Sequence, residues 1–399
     1  MTIRKLNLVF ILFFFLLSMT MVPWISGSNA IAADKIKIGT IMPMSGPLSI
    51  LGMTFGRGYT IIAEFINEQG GVNVGGKSYQ LEIINEDSKG SAEASRTSAL
   101  KLIHRDKVDF ITGGILEPAI EAMYKVCLDN GMLFLAGNAN IPGHPADVSA
   151  DKILQVRVAH SHDETHGMDI AYLKKAYPEA KKIAIAAPDI GYEPMIDDFK
   201  ARAVKQGLEI VFAEKWQWGT TDFVPVYTRV LASKPDAILA MVSGQAQYQL
   251  MAARQLGFKG VFISNSPMAP QVFLSVAGPE DCDNLITNGM HVDAPTDEIA
   301  KVMKRWREKY REEFISDSLW GYDAVWVLVQ AIEKAQSLDA KKVMAAFESM
   351  TNVGDLQTAF GPSKMGGMKR FGCNRALVRP LALTHLNKGK LVYSDYIMP

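Results

Sequence analysis

From Lys35 to Ile41 polar and apolar residues alternate, Lys-Ile-Lys-Ile-Gly-Thr-Ile. A two-residue period puts every second side chain on one face and predicts a half-buried strand. After a turn at Ser45-Gly46-Pro47, apolar residues recur at Phe55, Tyr59, Ile62, Ala63 and Ile66. That spacing is the period of a helix with one buried face, closed by Gly70-Gly71. The alternation of the two patterns continues. Strands are predicted at 80–84, 108–112, 133–136, 182–187, 209–212, 237–241 and 261–264, and helices at 92–104, 119–129, 164–175, 195–206, 224–231 and 247–256. Strand–helix–strand repetition argues for parallel sheets with helices on both faces. The unit runs at least twice, with a change near 150–165, so two α/β lobes are expected. Long helical patterns follow at 298–314 and 324–335. Gly and Pro then become dense from 361 to 372, ahead of a last strand-like run at 382–386.

At 399 residues the chain has room for about two domains. Lys+Arg and Asp+Glu balance at 42 each with no basic block, which argues against nucleic acid as a partner. The amino terminus stands apart. Arg4 and Lys5 precede an apolar run from Leu6 to Leu17, and small residues lead to Ala30-Ile31-Ala32. This reads as a secretory signal over 1–33, cleaved near Ala32 or Ala33, and implies export to an oxidising compartment. The alternative, a membrane anchor, would need about 20 apolar residues. Of the three cysteines, Cys127 falls in an apolar helix pattern and reads as a core thiol, while a Cys282–Cys373 bridge is left open. No C-x-x-C is present, so no metal or cofactor is expected.

Ligands of open parallel sheets sit beyond the carboxyl ends of the strands, where loops lead into helix N-termini with unpaired N–H groups. Four loops hold that place: 43–51, which opens on the turn at Ser45, 113–118, 137–142, which includes Asn138, and 188–194. Their Gly, Pro and small polar residues let a ligand approach the backbone. His160, His162 and His166, with Asp163 and Glu164, admit a zinc reading, against solvent-facing or helix-capping roles. Trp216 and Trp218 share one strand face; Trp320 and Tyr322 border a long helix, and either can reach a cleft. There is no G-x-S-x-G, H-E-x-x-H or P-loop lysine, so catalysis is not expected.

The ordered segments IKIGTIMPMSGPLSILGMTFGRG, AEFINEQGGV, DFITGG, GYEPMIDDFKARAVKQG, TTDFVPVYTRVLASKPDAIL, ARQLGF and GYDAVWVLVQAIEKA are spread along nearly the whole mature chain. Together they resemble the periplasmic binding proteins for branched-chain amino acids and related solutes that feed ABC importers. The resemblance implies a type I periplasmic binding fold: two Rossmann-like lobes with parallel sheets, joined by a three-segment hinge near 157–160, 288–292 and 358–362. Lobe one would comprise 34–158 and 291–359, and lobe two 159–290 and 360–399. A small-molecule ligand closes the lobes, and the closed face docks on an ABC permease in the membrane; a monomer is implied. A sensory receptor for a membrane signalling partner would carry the same signature. By the same resemblance, Glu117 and Pro118 stand where relatives place a hydroxyl for the ligand carboxylate, and Ala139 and Asn140 where they place a small residue and Thr. Asp163, flanked by His162, matches a polar residue at the first crossing, and Tyr192 matches a cleft tyrosine. Gln245 replaces the Glu that grips an ammonium, and Leu51 replaces an aromatic lid. These departures widen the expected ligands from amino acids to amides and organic or aromatic acids.

Overall fold

The structure, a computed structural model, describes residues 34–46, 48–137, 144–160, 162–241, 245–265, 270–289 and 296–398. The expected signal at 1–33 and the site candidates Asn138, Ala139 and Asn140 lie outside the described residues, as do the side chains of His162 and Asp163.

In chain order the first region runs β1 (Lys35–Met42), α1 (Ser49–Glu68), β2 (Val72–Val74), β3 (Lys77–Asp87), α2 (Ala92–Lys101), β4 (Phe110–Gly113), α3 (Glu117–Asp129), β5 (Phe134–Ala136) and β6 (Gln155–Arg157). The second runs α4 (His162–Ala176), β7 (Lys182–Pro188), α5 (Glu193–Lys205), β8 (Glu209–Trp216), α6 (Val224–Ala232), β9 (Ala237–Ala240), α7 (Ala246–Gln255), β10 (Val261–Ser264), α8 (Pro270–Asp281) and β11 (Leu285–Gly289). The chain then supplies α9 (Asp297–Tyr310), α10 (Ser318–Ala335), α11 (Ala340–Ser349), β12 (Leu356–Thr358), β13 (Gly361–Gly366), α12 (Met368–Phe371), β14 (Ala376–Val378), β15 (Ala382–Asn387) and β16 (Lys390–Tyr393).

These strands form two sheets. The nine-stranded one has the order β12-β13-β14-β6-β5-β4-β1-β3-β2, and the seven-stranded one β16-β15-β11-β10-β9-β7-β8. From β14 to β3 every neighbouring pair in the first sheet is parallel, as is every pair from β11 to β8 in the second. Antiparallel strands occur only at the sheet margins among the described residues. Parallel strands need both faces covered, and both sheets meet that need. On the first, α1 and α9–α11 bury Tyr59, Trp306, Tyr322 and Phe347 on one face, while α2 and α3 bury Ile120, Met123 and Cys127 on the other. On the second, α6–α8 bury Tyr227, Phe262 and Phe273, and α4 and α5 bury Leu173, Met195 and Phe199.

The chain leaves the first sheet after Arg157, enters the second with β7, and leaves it after β11 for α9, which packs with the first lobe. The third crossing differs from the expected 358–362. β13 and β14 pair within the first sheet, so the return lies between Val378 and Ala382. Lobe one therefore extends to β14, and only β15, β16 and the tail remain for lobe two. The Gly- and Pro-containing stretch 361–366 conceals a margin strand, because a margin strand tolerates residues that a central one does not. The three cysteines are buried thiols, and no Cys282–Cys373 bridge forms. Cys282 packs in the core of lobe two, whereas Cys373 lies between α12 and β14 of lobe one.

Candidate functional site

The carboxyl ends of the parallel strands in each lobe form a rim of loops and helix starts. After β1, Ser45 is exposed and its hydroxyl bonds Asp87 at the end of β3. The backbone N–H groups of Met44 and Lys89 also donate to Asp87, each at 2.8 Å. Burial pushes that carboxyl up, but these bonds outweigh it and hold it below the usual range. Ser45 thus braces the loop. Leu51 is half-buried in the first turn of α1.

After β4 the backbone turns through Gly113 at φ 134°, where an added Cβ would lie 2.3 Å from the Ile41 carbonyl oxygen. Only glycine suits that close approach. The turn delivers Glu117 and Pro118 as the first residues of α3, with Glu117 only 6% exposed. On the second lobe the turn after β7 delivers Tyr192 as the residue capping α5, 5% exposed. Burial first, and the negative charge of Glu117 second, push the Tyr192 phenol well above its ordinary range. Glu117 of lobe one and Tyr192 of lobe two therefore lie within each other's field. Gln245 caps α7, half-buried, and its Oε1 has no hydrogen-bond partner among the described residues. The structure thus brings Glu117 and Tyr192 together from opposite lobes and puts Gln245 on the rim of lobe two.

Several polar residues on the rim and hinge were not anticipated. Asn265 follows β10, and its Nδ2 donates to Thr165 Oγ1 at 2.6 Å and Asp169 Oδ2 at 2.7 Å. Asn288, near the end of β11, is buried with neither side-chain polar atom bonded among the described residues. Two buried arginines flank the crossings. Arg157 donates through Nη2 to Glu164 Oε1 at 2.9 Å and lies 3.5 Å from Asp147. Arg379 donates through Nη1 to Asp323 Oδ2 at 2.7 Å. Its Cζ stands 3.8 Å from the centroid of the Trp320 ring, which also meets His160 at 4.9 Å and Phe360 at 5.6 Å. The one signal for this cluster is Asp323, a charge inside the apolar helical run 321–332, which calls for a buried cation.

The zinc reading finds no support around His166, whose Nδ1 is 2.8 Å from Asp198 Oδ2, and no metal-like group of His, Cys, Asp or Glu exists among the described residues. Trp216 packs on Phe223 in the core of lobe two, while Trp218, stacked beside it at 6.2 Å, is 42% exposed. Tyr322 is a core residue of lobe one.

Against known proteins, the profile of the family described as "Periplasmic binding protein" matches residues 35–390. The chain is similar to the Leu/Ile/Val-binding protein BraC3 of Rhizobium johnstonii, at 24% identity over 341 residues, 84% of this chain and 89% of that one. It is similar to the leucine-, isoleucine-, valine-, threonine- and alanine-binding protein of Pseudomonas aeruginosa, at 23% identity over 331 residues, 81% and 85% of the two chains. Among solved structures, the branched-chain amino acid transporter substrate binding protein of Streptococcus pneumoniae, in complex with isoleucine, superposes with a TM-score of 0.74 at 18% identity, covering 92% of this chain and 100% of that one. An ABC transporter solute binding protein of Rhodopseudomonas palustris, in complex with 4-hydroxybenzoate, gives 0.73 at 23% identity, covering 92% and 97%.

Proposed function

Because the chain belongs to the periplasmic binding protein family, we propose that it is the solute-binding component of an ABC importer. In this reading it works in the periplasm as a monomer, closes its lobes around one small polar ligand, and hands that ligand unchanged to a membrane permease. One observation supports the reading: Glu117 and Tyr192, on helix starts of different lobes, are both buried and near enough for the Glu117 charge to add to the rise of the Tyr192 phenol. A pocket split in this way satisfies a ligand fully only when shut, which ties binding to closure. Moving the population from mostly open to mostly closed takes about 5 kcal/mol of differential binding.

The relatives' names and complexes, with branched-chain and small amino acids on one side and 4-hydroxybenzoate on the other, support a solute of that size class. Glu117 and Pro118, Tyr192, Gln245 and Trp320 line its place in this reading. Catalysis has no part in this reading: burial pushes the Cys282 thiol up to about 11 and raises that of Cys127 further, which leaves both protonated and poor nucleophiles.

A thermal-shift screen of amino acids, amides and organic or aromatic acids identifies the ligand, since a molecule that binds only the folded state raises the melting temperature. Glu117→Ala and Gln245→Ala are then expected to weaken its binding at least tenfold in calorimetry, with unchanged melting temperatures of the free proteins. Unchanged affinity in both variants would overturn the placement of the pocket.

A further inference from the structure

Arg379 directly follows Val378, the last residue of β14, which runs parallel to β6 and through it to β5, β4 and β1. It therefore stands on the same carboxyl rim as Glu117, at the hinge end. The side chain is 1% exposed. Its Nη1 is committed to Asp323, yet Nε and Nη2 are both buried without a hydrogen-bond partner among the described residues. The indole N–H of Trp320, whose ring lies against the guanidinium, is in the same condition.

Buried donors in this state are rare, and a charged group makes the deficit larger. A guanidinium and an indole donate and never accept, so only an acceptor satisfies them. The Nε–Nη2 edge is a planar fork whose two parallel N–H bonds match the oxygens of a carboxylate. Burial pushes Arg379 down to about 10, with Asp323 opposing the fall, so the group stays cationic at neutral pH. Arg157 offers no such edge, since it already meets both Glu164 and Asp147.

We propose that the Nε–Nη2 edge of Arg379, with the Trp320 indole N–H beside it, binds a carboxylate of the transported solute at the hinge end of the cleft. The inference rests on the solute-binding reading and makes it narrower: the cargo is a carboxylic acid, with its acid group turned toward the hinge and its remainder toward Tyr192 and Gln245.

The test is calorimetry on the whole purified protein with three acids, benzoate, 4-hydroxybenzoate and L-isoleucine, and with their primary amides. The wild type is expected to bind at least one acid, and to bind it at least tenfold more tightly than its amide. Arg379→Lys keeps the charge beside Asp323 but loses the fork; it and Arg379→Gln are each expected to lower the acid's affinity at least tenfold while changing the amide's less than twofold. Where Arg379→Gln fails to fold, Arg379→Lys decides. Trp320→Phe is expected to weaken the acid severalfold and to abolish the change in tryptophan emission on binding. Equal losses for acid and amide, or full acid affinity in Arg379→Lys, would overturn the carboxylate site. If the wild type binds only amides, or none of the six probes, the site also falls, while the solute-binding reading is judged separately by the wider screen and by Glu117→Ala and Gln245→Ala. Full acid affinity in Arg379→Lys, together with loss in those two variants, leaves that reading standing alone.

Discussion

Asp169 lies wholly buried on α4, and burial, partly offset by the bond from Asn265, pushes its carboxyl up to about 7. An unfolded chain ionises the same group near 3.9. Between roughly pH 4 and 7 the folded state thus holds a proton that the unfolded state has released, and stability falls as pH rises through that window. Below it both states are protonated and the effect vanishes. Asp169→Asn keeps the shape and an acceptor for Asn265 but does not titrate. It is expected to gain stability over the wild type as pH goes from 4 to 8, with a ceiling of about 4 kcal/mol from three units at about 1.4 kcal/mol each. Urea unfolding at both pH values checks this; a constant difference between the two proteins would refute it. Residues of this kind are hard to see in a sequence. Asp169 occupies a helix with ordinary polar neighbours, and its burial depends on Asn265, 96 positions away. The helix starts that carry Glu117 and Tyr192 were legible because a turn signal precedes each locally. Arg379 was not, since its partner Asp323 is 56 residues distant.

At the scale of elements, the fit between α1 and α10 depends on glycines that let the two backbones touch. A Cβ on Gly58 would lie 1.8 Å from the carbonyl oxygen of Ser318, and one on Gly321 would lie 2.3 Å from that of Phe55. Neither oxygen is a flexible side-chain end, so helix must move against helix. Gly58→Ala is expected to destabilise the protein by roughly 3 kcal/mol despite the gain in helix propensity, measured by urea denaturation. Gly56→Ala, on the same helix, meets no atom nearer than 4.0 Å and serves as the control expected to be neutral or slightly stabilising. If both behaved alike, the close approach would not matter. The central elements were legible because each announces itself within a few residues: β1, β7 and β10 by apolar or alternating runs, and α1, α3 and α5 by one apolar face. What escaped was short or two-faced. β6 spans only Gln155–Arg157 and is wholly buried with two polar residues, so it carries no apolar run. β13 and β14 are separated by α12 and take their place from a partner strand rather than from their own composition, which is why the third crossing was expected some twenty residues early.

The whole molecule works only if its lobes move, and the crossings carry a chain of charges that bears on that motion. Arg157, at the end of β6 in lobe one, reaches Glu164 in the first turns of α4 in lobe two, while Asp147 of lobe one holds its other side. Arg157 is fully buried, so its bond to Glu164 is poorly screened by water. Hydrogen bonds to a charged group contribute about 1.5–3 kcal/mol. Where such a bond spans the hinge, it favours the arrangement in which it forms. Glu164→Gln keeps the length of the side chain and removes the charge, which also acts on Arg379, so ligands without a carboxylate are the ones to compare. The expected outcome is a larger radius of gyration for the ligand-free protein in X-ray scattering, as more molecules open. Affinity should fall because only the competent fraction binds, and the apparent Kd scales inversely with that fraction. The signature is uniformity among uncharged ligands: each weakens by one common factor of roughly ten, whereas a change in the pocket alters different ligands by different factors. Unequal factors would move Glu164 into the pocket, and an unchanged radius with unchanged affinity would show that the hinge does not depend on this bond.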